Sequence, residues 1–390
     1  MPMLRLVCAL ILLVGPAAAQ DYVPGPHPDW EHRDPAEMGL DPVKLQAAID
    51  FAVAHETRHP PELAAVADVR DLRITVPLTW AREAFSSPIG PLEPRAAPNG
   101  IILKDGYIVA QWGEVDEVDM TFSISKTFLC HTAGLAFDRG FLDPDKPVIE
   151  KVTPTEDFAL PHNAPITWDM MLRQTSGWIG TLWGKPWWAD RPGETASSDL
   201  IEGPPEPGRY YEYNDVRVNA LALALTHLWE QSLPEVLEEG VMSPIGASDS
   251  WHWEGYDNSW TDVYGNRLKV VSGGGHWGGG MFINAYDLAR LGLLGLREGQ
   301  WGEEVILSTE WIARARTPTG PESGYGYMNW FLNTDQKRFP AAREDAVSYL
   351  GAGANMVYID YEHDLVAVVR WIDSKQLAAF VELLLEAAEE

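Results

Sequence analysis

The chain has 390 residues, of which 46% are hydrophobic and 22% are charged, which is enough apolar material for a full globular core. Its formal net charge of −28 argues against nucleic acid and anionic membranes as partners, because both would repel it. The composition therefore favours a highly soluble protein with a solvated surface. It gives no information on oligomeric state.

The first 19 residues have the pattern of a secretory signal peptide. A positive charge at Arg5 precedes an apolar run over residues 6–14, which is too short to span a bilayer, and Ala17–Ala19 supply small residues for cleavage. We expect an exported protein, periplasmic or secreted, in which residues 20–390 form one domain. No later segment is long and apolar enough to cross a membrane. Cys130 would be the sole remaining cysteine, so no internal disulfide is expected.

The first predicted elements are a helix and a hairpin separated by an irregular stretch. The apolar spacing predicts a helix over Asp41–Ala54. Residues 59–98 are rich in proline and predict an irregular segment with one short helix at Trp80–Phe85. Within Gly100–Trp112, two apolar runs flank the turn pair Asp105-Gly106, which predicts a β-hairpin.

The middle of the chain is predicted to be mostly helical. An apolar helix follows Ser123 and ends at Gly140. The stretch Asp143–Trp260 is interpreted as helices broken by loops, among them Trp168–Gln174 and Val216–Trp229. We therefore expect an all-helical lobe over roughly residues 140–265.

The last third returns to mixed structure. Asn284 is a suitable N-cap for a helix over Asn284–Arg297. A second hairpin pairs Met356–Asp360 with Leu365–Ile372, and an amphipathic helix over Ser374–Ala388 closes the chain. Strands thus flank a helical middle. This order predicts an α+β fold, with helices on the faces of an antiparallel sheet and the helical lobe inserted in sequence.

The most informative motif is Ser123-Ile124-Ser125-Lys126. Residues three apart on a helix share one face, so the spacing places an amine beside a hydroxyl. Serine needs a neighbouring base to act as a nucleophile, and a buried lysine can lose its proton more readily than an exposed one. The motif therefore indicates acyl transfer through a serine ester. The alternative is that Ser123 only caps a helix.

Six segments in a fixed order are informative together: GIILKDGYIVAQWG, DMTFSISKTFLCHTAGLAFDRG, ITWDMMLRQTSGW, PGRYYEYNDVRVNALALAL, GGGHWGGGMFINAYDLARLGLL and LGAGANMVYIDYEHDLVAVV. They resemble the serine β-lactamase and penicillin-binding-protein superfamily, with the closer likeness to its class C side, which includes carboxylesterases and 6-aminohexanoate-oligomer hydrolases. The resemblance covers nearly the whole chain from about Asp34. It implies a β-lactamase/transpeptidase-like fold and a serine hydrolase activity without a cofactor.

The resemblance implies roles for individual residues. Ser123 matches the nucleophile and Lys126 its partner lysine. Tyr213 matches the tyrosine of the second motif and would share proton transfer with Lys126; the sequence leaves open which of the two is the general base. The oxyanion hole would combine the backbone N–H groups of Ser123 and Ala352.

The chain departs from the family pattern in two places. The second motif is normally Tyr-x-Asn, but Asp215 stands where asparagine is usual, and we expect it to contact substrate. The third motif is usually Lys-Thr-Gly, and here Tyr349-Leu350-Gly351 occupies its place, with Tyr349 and Gly351 expected to bind substrate. Because a cationic residue is missing there, the departure favours an esterase or amidase over a β-lactamase.

Two further residues are candidate substrate contacts. His276 lies in the glycine-rich stretch 272–280, where it either hydrogen bonds substrate or holds the loop. Trp183 follows the turn Thr175-Ser176-Gly177 and is a candidate wall of an apolar cleft. No histidine pair has metal-ligand spacing on a helix, so no metal is expected.

The sequence thus predicts an exported serine hydrolase that takes a small-molecule substrate. The first expectation is cleavage of a linear ester or small amide, of the 6-aminohexanoate-oligomer or short-chain ester type. A β-lactamase or D-amino-acid peptidase is the second. A non-catalytic ligand-binding relative is the third, although such a protein would have no use for Ser123, Lys126 and Tyr213 together.

Overall fold

A computed structural model describes residues 22–59, 61–63, 85, 87–190, 206–329 and 332–388. The expected signal peptide over residues 1–19 and nearly all of the expected short helix Trp80–Phe85 lie outside the described residues. Within the described part of the chain, no helix combines the length and the apolar composition needed to cross a bilayer.

The helices and strands follow in chain order. The helices are α1 (Pro42–Ala54), α2 (Ser125–Asp138), α3 (Trp168–Leu172), α4 (Asp215–Trp229), α5 (Leu233–Leu237), α6 (Ala285–Leu296), α7 (Thr309–Ala315) and α8 (Leu377–Ala388). The strands are β1 (Asn99–Lys104), β2 (Tyr107–Trp112), β3 (Asp119–Met120), β4 (Thr181–Leu182), β5 (Lys185–Pro186), β6 (His252–Val263), β7 (Asn266–Val271), β8 (Gly280–Ile283), β9 (Gln300–Trp301), β10 (Glu304–Val305), β11 (Val347–Gly351), β12 (Asn355–Asp360) and β13 (Leu365–Arg370).

The main sheet is antiparallel and has the strand order β11-β12-β13-β1-β2. Every residue of β12 and β13 is buried, because these central strands are covered on both faces. The β1–β2 hairpin turns at Asp105 and Gly106, whose φ angles are 53° and 86°. Positive φ at both central residues is what a two-residue hairpin turn requires, so the predicted hairpin is confirmed.

Helices cover both faces of the main sheet. On one face α1 and α8 pack side by side, with Leu45 and Phe380 buried against Ile102 and Tyr358 of the strands. On the other face α6 lies along β1, β12 and β13. Gly292 allows α6 to approach closely, since a Cβ there would lie 2.6 Å from Val366 Cγ1. One apolar layer therefore lies on each face of the sheet, between the strands and the helices that cover them.

The helices α2 and α4 form the centre of the second half of the molecule. In α2 all residues from Ser125 to Ala136 are buried, and in α4 all residues from Asp215 to Thr226. Two helices buried on every side belong to the core of this half, although both carry polar residues. These two helices pack on each other, with α5 beside them, and together they hold the polar residues that the motif analysis singled out.

A second antiparallel sheet was not predicted. Its strand order is β3-β8-β6-β7, and β6 alone runs for 12 residues. The interpretation of 143–260 as mostly helical was wrong for β6, which begins at His252. The reason is local composition, because Asp, Asn, Ser and Gly within β6 are depleted in strands and its outer half is exposed. Antiparallel sheets flanked by helices confirm the α+β class.

Candidate active site

Ser123 lies on a tight turn, not at the cap of a helix. It is the middle residue of a 3₁₀ turn over Phe122–Ile124, which connects β3 to α2. Phe122 has φ 52°, in the left-handed region that bulky residues rarely adopt. Ser123 is partly exposed while its neighbours Phe122 and Ile124 are buried. Backbone strain of this kind persists where the surrounding structure holds it, often beside functional residues.

Lys126 lies one turn further along, at the start of α2. Its side chain is only 1% exposed, and its Nζ donates a hydrogen bond to Ser123 Oγ at 3.2 Å. The same Nζ lies 2.6 Å from Asp215 Oδ1 and 4.5 Å from the centre of the Tyr213 ring. The amine predicted from the sequence spacing therefore does stand beside the serine hydroxyl.

Tyr213 and Asp215 reach the site from the beginning of α4. Asn214 is the N-cap of this helix, and its Oδ1 accepts a hydrogen bond from Arg217 N at 3.1 Å. Gln174 Oε1 in turn accepts from Asn214 N at 2.7 Å, which fixes the entry of the chain into α4. The hydroxyl of Tyr213 forms hydrogen bonds with Ser123 and Lys126. Three of the predicted residues thus meet at one point.

The charges at this point are strongly coupled. Burial alone would lower the pKa of Lys126, but the Asp215 carboxylate and Tyr213 outweigh burial and raise it above its ordinary value. Burial alone would raise the pKa of Asp215, but Lys126 and His276 hold it below its ordinary value. Burial raises the pKa of Tyr213, and Lys126 only partly offsets this. The site therefore holds an ammonium–carboxylate pair beside a neutral phenol.

Asp215 is buried inside the protein, with its side chain 2% exposed. While Oδ1 contacts Lys126, Oδ2 accepts a hydrogen bond from His276 N at 3.1 Å. Both carboxylate oxygens are therefore engaged inside the protein. Asp215 thus forms an internal ion pair that sequence spacing alone could not reveal, and its contact with substrate stays a prediction.

The glycine-rich stretch 272–280 closes over this ion pair. A Cβ on Gly274 would lie 2.2 Å from Asp215 Oδ2 and 2.2 Å from Lys126 Nζ, so only glycine fits there. His276 follows, with Nδ1 3.6 Å from Asp190 Oδ1 and only 12% of its side chain exposed. Asp190 Oδ2 also accepts a hydrogen bond from Asp215 N at 2.6 Å. This geometry favours the loop-holding interpretation of His276.

The end of β11 lies against the Ser123 turn. A Cβ on Gly351 would lie 1.9 Å from Thr121 O and 3.3 Å from Ser123 N, so glycine is required where strand and turn meet. Ala352 follows in a 3₁₀ turn, Ala352–Ala354, and is partly exposed. The two backbone segments expected to form the oxyanion hole are therefore neighbours.

Two other predicted contacts lie further from Ser123. Tyr349 is 5% exposed and belongs to the core; a Cβ on Gly295 of α6 would lie 2.7 Å from its hydroxyl oxygen. Trp183 is half-buried in the β4–β5 turn, with its ring edge-to-face against Tyr256 at 5.7 Å. The hydroxyl of Tyr256 donates to His276 O at 2.6 Å. Trp183 is thus connected to the site through the glycine-rich stretch.

Sequence reasoning missed residues that come from distant segments. Tyr325 lies edge-to-face to Tyr213 at 6.4 Å and accepts a hydrogen bond from Gln174 Nε2 at 2.6 Å. A cavity of about 440 Å³ adjoins Gly351 and Ala352. Arg58 and Lys375, which are exposed cationic side chains far apart in sequence, line it. Neither residue belongs to a motif, so the sequence carried no signal for them.

With the geometry established, the sequence model of the β-lactamase family matches residues 101–376. The chain belongs to the β-lactamase family. The match includes the Ser123 turn, the beginning of α4, the glycine-rich stretch and β11, which are the segments that form the site. The superfamily resemblance drawn from the sequence is confirmed.

Solved structures of β-lactamase-like proteins share the fold at low sequence identity. A protein assigned as a 6-aminohexanoate-dimer hydrolase from Bacillus anthracis is 16% identical with a TM-score of 0.56, over 74% of this chain and 78% of that one. EstCE1, a hydrolase with promiscuous acyltransferase activity, is 16% identical with a TM-score of 0.52, over 75% and 93%. An octameric penicillin-binding protein homologue from Pyrococcus abyssi is 18% identical with a TM-score of 0.53, over 74% and 72%. No curated protein sequence matches significantly.

Proposed function

We propose that the protein is a serine hydrolase that cleaves a linear ester or a small amide through an acyl intermediate on Ser123. The observation that carries the proposal is the contact of Ser123 Oγ with Lys126 Nζ at 3.2 Å, with the Tyr213 hydroxyl hydrogen bonded to both residues. A nucleophile beside an amine and a phenol is the arrangement that acyl transfer needs. Membership of the β-lactamase family supports the same chemistry.

The proposed reaction has two halves. Ser123 Oγ attacks the substrate carbonyl carbon while its proton passes to the Lys126–Tyr213 pair, and the N–H groups of Ser123 and Ala352 stabilise the oxyanion. The bond to the leaving group then breaks, and the leaving oxygen or nitrogen takes that proton. Water attacks the ester on Ser123 by the reverse proton path and releases the acid. The reaction as written requires no cofactor.

The cavity beside Gly351 supports a substrate with an anionic end. Lys375 makes no ion pair with any described residue, and Arg58 Nε lies 3.5 Å from Asp373 Oδ2. The two cations and one carboxylate leave a local surplus of positive charge in a chain of net charge −28. In this proposal, Arg58 and Lys375 take the place of the cationic residue that is missing from the third motif. A 6-aminohexanoate oligomer, with its terminal carboxylate, has the matching chemistry.

Labelling of Ser123 tests the proposal. The protein is incubated with a fluorophosphonate, its intact mass is measured, and the adduct is located by peptide mapping. We expect one adduct on Ser123 in the wild type, no adduct in Ser123→Ala, and loss of p-nitrophenyl ester turnover in that variant. No adduct, or an adduct elsewhere, would favour the ligand-binding alternative. Turnover that survives in Ser123→Ala would refute the mechanism.

A substrate comparison tests the anionic end. The p-nitrophenyl half-ester of adipic acid is compared with its neutral methyl ester, in the wild type and in the double variant Arg58→Gln/Lys375→Gln. We expect KM for the charged ester to rise about 10-fold in the variant, with the neutral ester little changed. A chromogenic cephalosporin should be hydrolysed poorly; efficient turnover would favour the β-lactamase alternative instead.

A further inference from the structure

The ion pair between Lys126 and Asp215 gives the site a fixed charge. The two side chains are 1% and 2% exposed, and their charged atoms lie 2.6 Å apart. At this distance and burial, the charged forms stabilise each other, and separating them would leave an uncompensated buried charge. A lysine held in this way is a donor of hydrogen bonds and has no lone pair with which to accept a proton.

The second carboxylate oxygen and the surrounding groups reinforce this state. Asp215 Oδ2 accepts from His276 N, and the helix terminus of α4, where Asp215 is the first residue, also favours negative charge. Gly274 packs directly against the pair, because a methyl group added there would collide with both charged groups. This close packing leaves no room for water on that side of the pair. The titratable groups that face the pair are Tyr213, His276, Asp190, Tyr256 and Tyr325.

We propose that Asp215 is a positioning residue that fixes Lys126 as a permanent ammonium donor to Ser123, so that Tyr213 takes the serine proton. In this step the Ser123 O–H bond breaks as the bond from Oγ to the substrate carbonyl carbon forms. Tyr213 acts in its ionised form, which alkaline pH populates after the phenol has lost its proton to solvent. The serine proton then moves to the phenolate oxygen of Tyr213 and passes from there to the leaving group. The inference rests on the proposed function, and it deepens that function by giving Asp215 a positioning role that sets the pH range of turnover.

The direction of the pH dependence follows from the charges. The Asp215 carboxylate raises the pKa of Lys126 and of Tyr213. A base with a raised pKa is unprotonated only at higher pH, so the wild-type rate should climb through the alkaline range. Asp215→Asn removes a negative charge next to both groups and lowers both pKa values. The rate should then rise at lower pH.

The experiment measures the rate of fluorophosphonate inactivation against pH, after the wild type has been shown to label on Ser123. We expect Asp215→Asn to move the midpoint of the rising limb down by about 1–3 pH units. Asp360→Asn is the matched control, because Asp360 is equally buried at 2% but lies at the far end of β12. Its midpoint should stay at the wild-type value. An unchanged or raised midpoint in Asp215→Asn overturns the inference.

A second variant keeps the test decisive if Asp215→Asn does not fold. Tyr213→Phe leaves the ion pair intact, and the ammonium of Lys126 cannot replace the lost base. We expect its inactivation rate to fall by about 100-fold or more at every pH. A Tyr213→Phe protein that keeps the wild-type rate and rising limb would show that Lys126 is the base. Failure of the wild type to label on Ser123 would instead refute the proposed function itself.

Discussion

At the scale of single residues, the site depends on groups that touch Lys126 from three sides. Ser123 is hydrogen bonded to it, Asp215 neutralises it, and Gly274 covers it. A Cβ added at Gly274 would lie 2.2 Å from both Lys126 Nζ and Asp215 Oδ2, and both of these side chains are almost fully buried. The arrangement is therefore intolerant of added volume as well as of lost charge.

Gly274→Ala should abolish turnover. The new methyl group would lie 2.2 Å from both Asp215 Oδ2 and Lys126 Nζ, so the ion pair or the loop has to move. A displacement of about 1 Å at such a site costs about 100-fold in rate, and we expect kcat/KM for a p-nitrophenyl ester to fall at least that far.

Gly320→Ala is the control for this substitution, because a Cβ at Gly320 meets nothing within 4 Å. It should keep wild-type kinetics. Wild-type activity in Gly274→Ala, with the fold verified by circular dichroism, would show that the loop does not pack on the ion pair in solution.

Residue type and spacing pointed to Ser123 and Lys126, whereas Tyr213 was implied by the family resemblance. The partner of Asp215 could not be predicted, since its contact with Lys126 joins segments almost 90 positions apart, and no local pattern encodes such a contact. The same holds for Arg58 and Lys375, which meet only around a cavity formed by the folded chain.

At the scale of elements, prediction succeeded where local chemistry decides the structure. Periodicity and turn residues correctly placed the helix predicted to begin at Asp41, the N-cap Asn284, the Asp105-Gly106 turn and the second hairpin. It failed for β6, whose pairing with β7 and β8 is a long-range property. It also missed the 3₁₀ turn at Ser123, because the helix signal of α2 continues through that residue.

The N-cap of α6 provides a test at this scale. Asn284 Oδ1 accepts from Asp287 N at 2.8 Å, and its Nδ2 donates to Ser248 and Ser250 at 3.2 Å. Asn284→Ala should lower the free energy of unfolding by about 1–2 kcal/mol, measured by urea denaturation, without changing kcat or KM. Substitution of the exposed Asn266 by Ala should have no comparable effect. A cap variant as stable as the wild type would contradict the argument.

At the scale of the whole molecule, buried histidines make stability depend on pH. His131 is 5% exposed within α2, and its Nδ1 has no hydrogen-bond partner in the part of the chain that the structure describes. Burial lowers its pKa to about 4 from an ordinary value of 6.5. Between these values the unfolded chain binds a proton that the folded chain does not, so acid favours unfolding.

His131→Leu should therefore flatten the acid side of the stability profile. Between pH 7 and pH 4, this histidine should lower the free energy of unfolding of the wild type by about 2–3 kcal/mol. The variant lacks this contribution, so its free energy of unfolding should fall by correspondingly less. Urea denaturation at several pH values measures the difference. Exposed His32 offers the comparison, since His32→Gln should leave the profile as it is. Parallel profiles for wild type and His131→Leu would rule out this origin of acid sensitivity.

The Ser123 turn, the start of α4, the glycine-rich stretch and the end of β11 are four separate stretches of chain that touch only after folding. The catalytic geometry is therefore a property of the completed tertiary structure and of no fragment. During refolding, the proposed ester turnover should therefore return only when the last of the four stretches has docked, so its recovery would report completion of the tertiary structure.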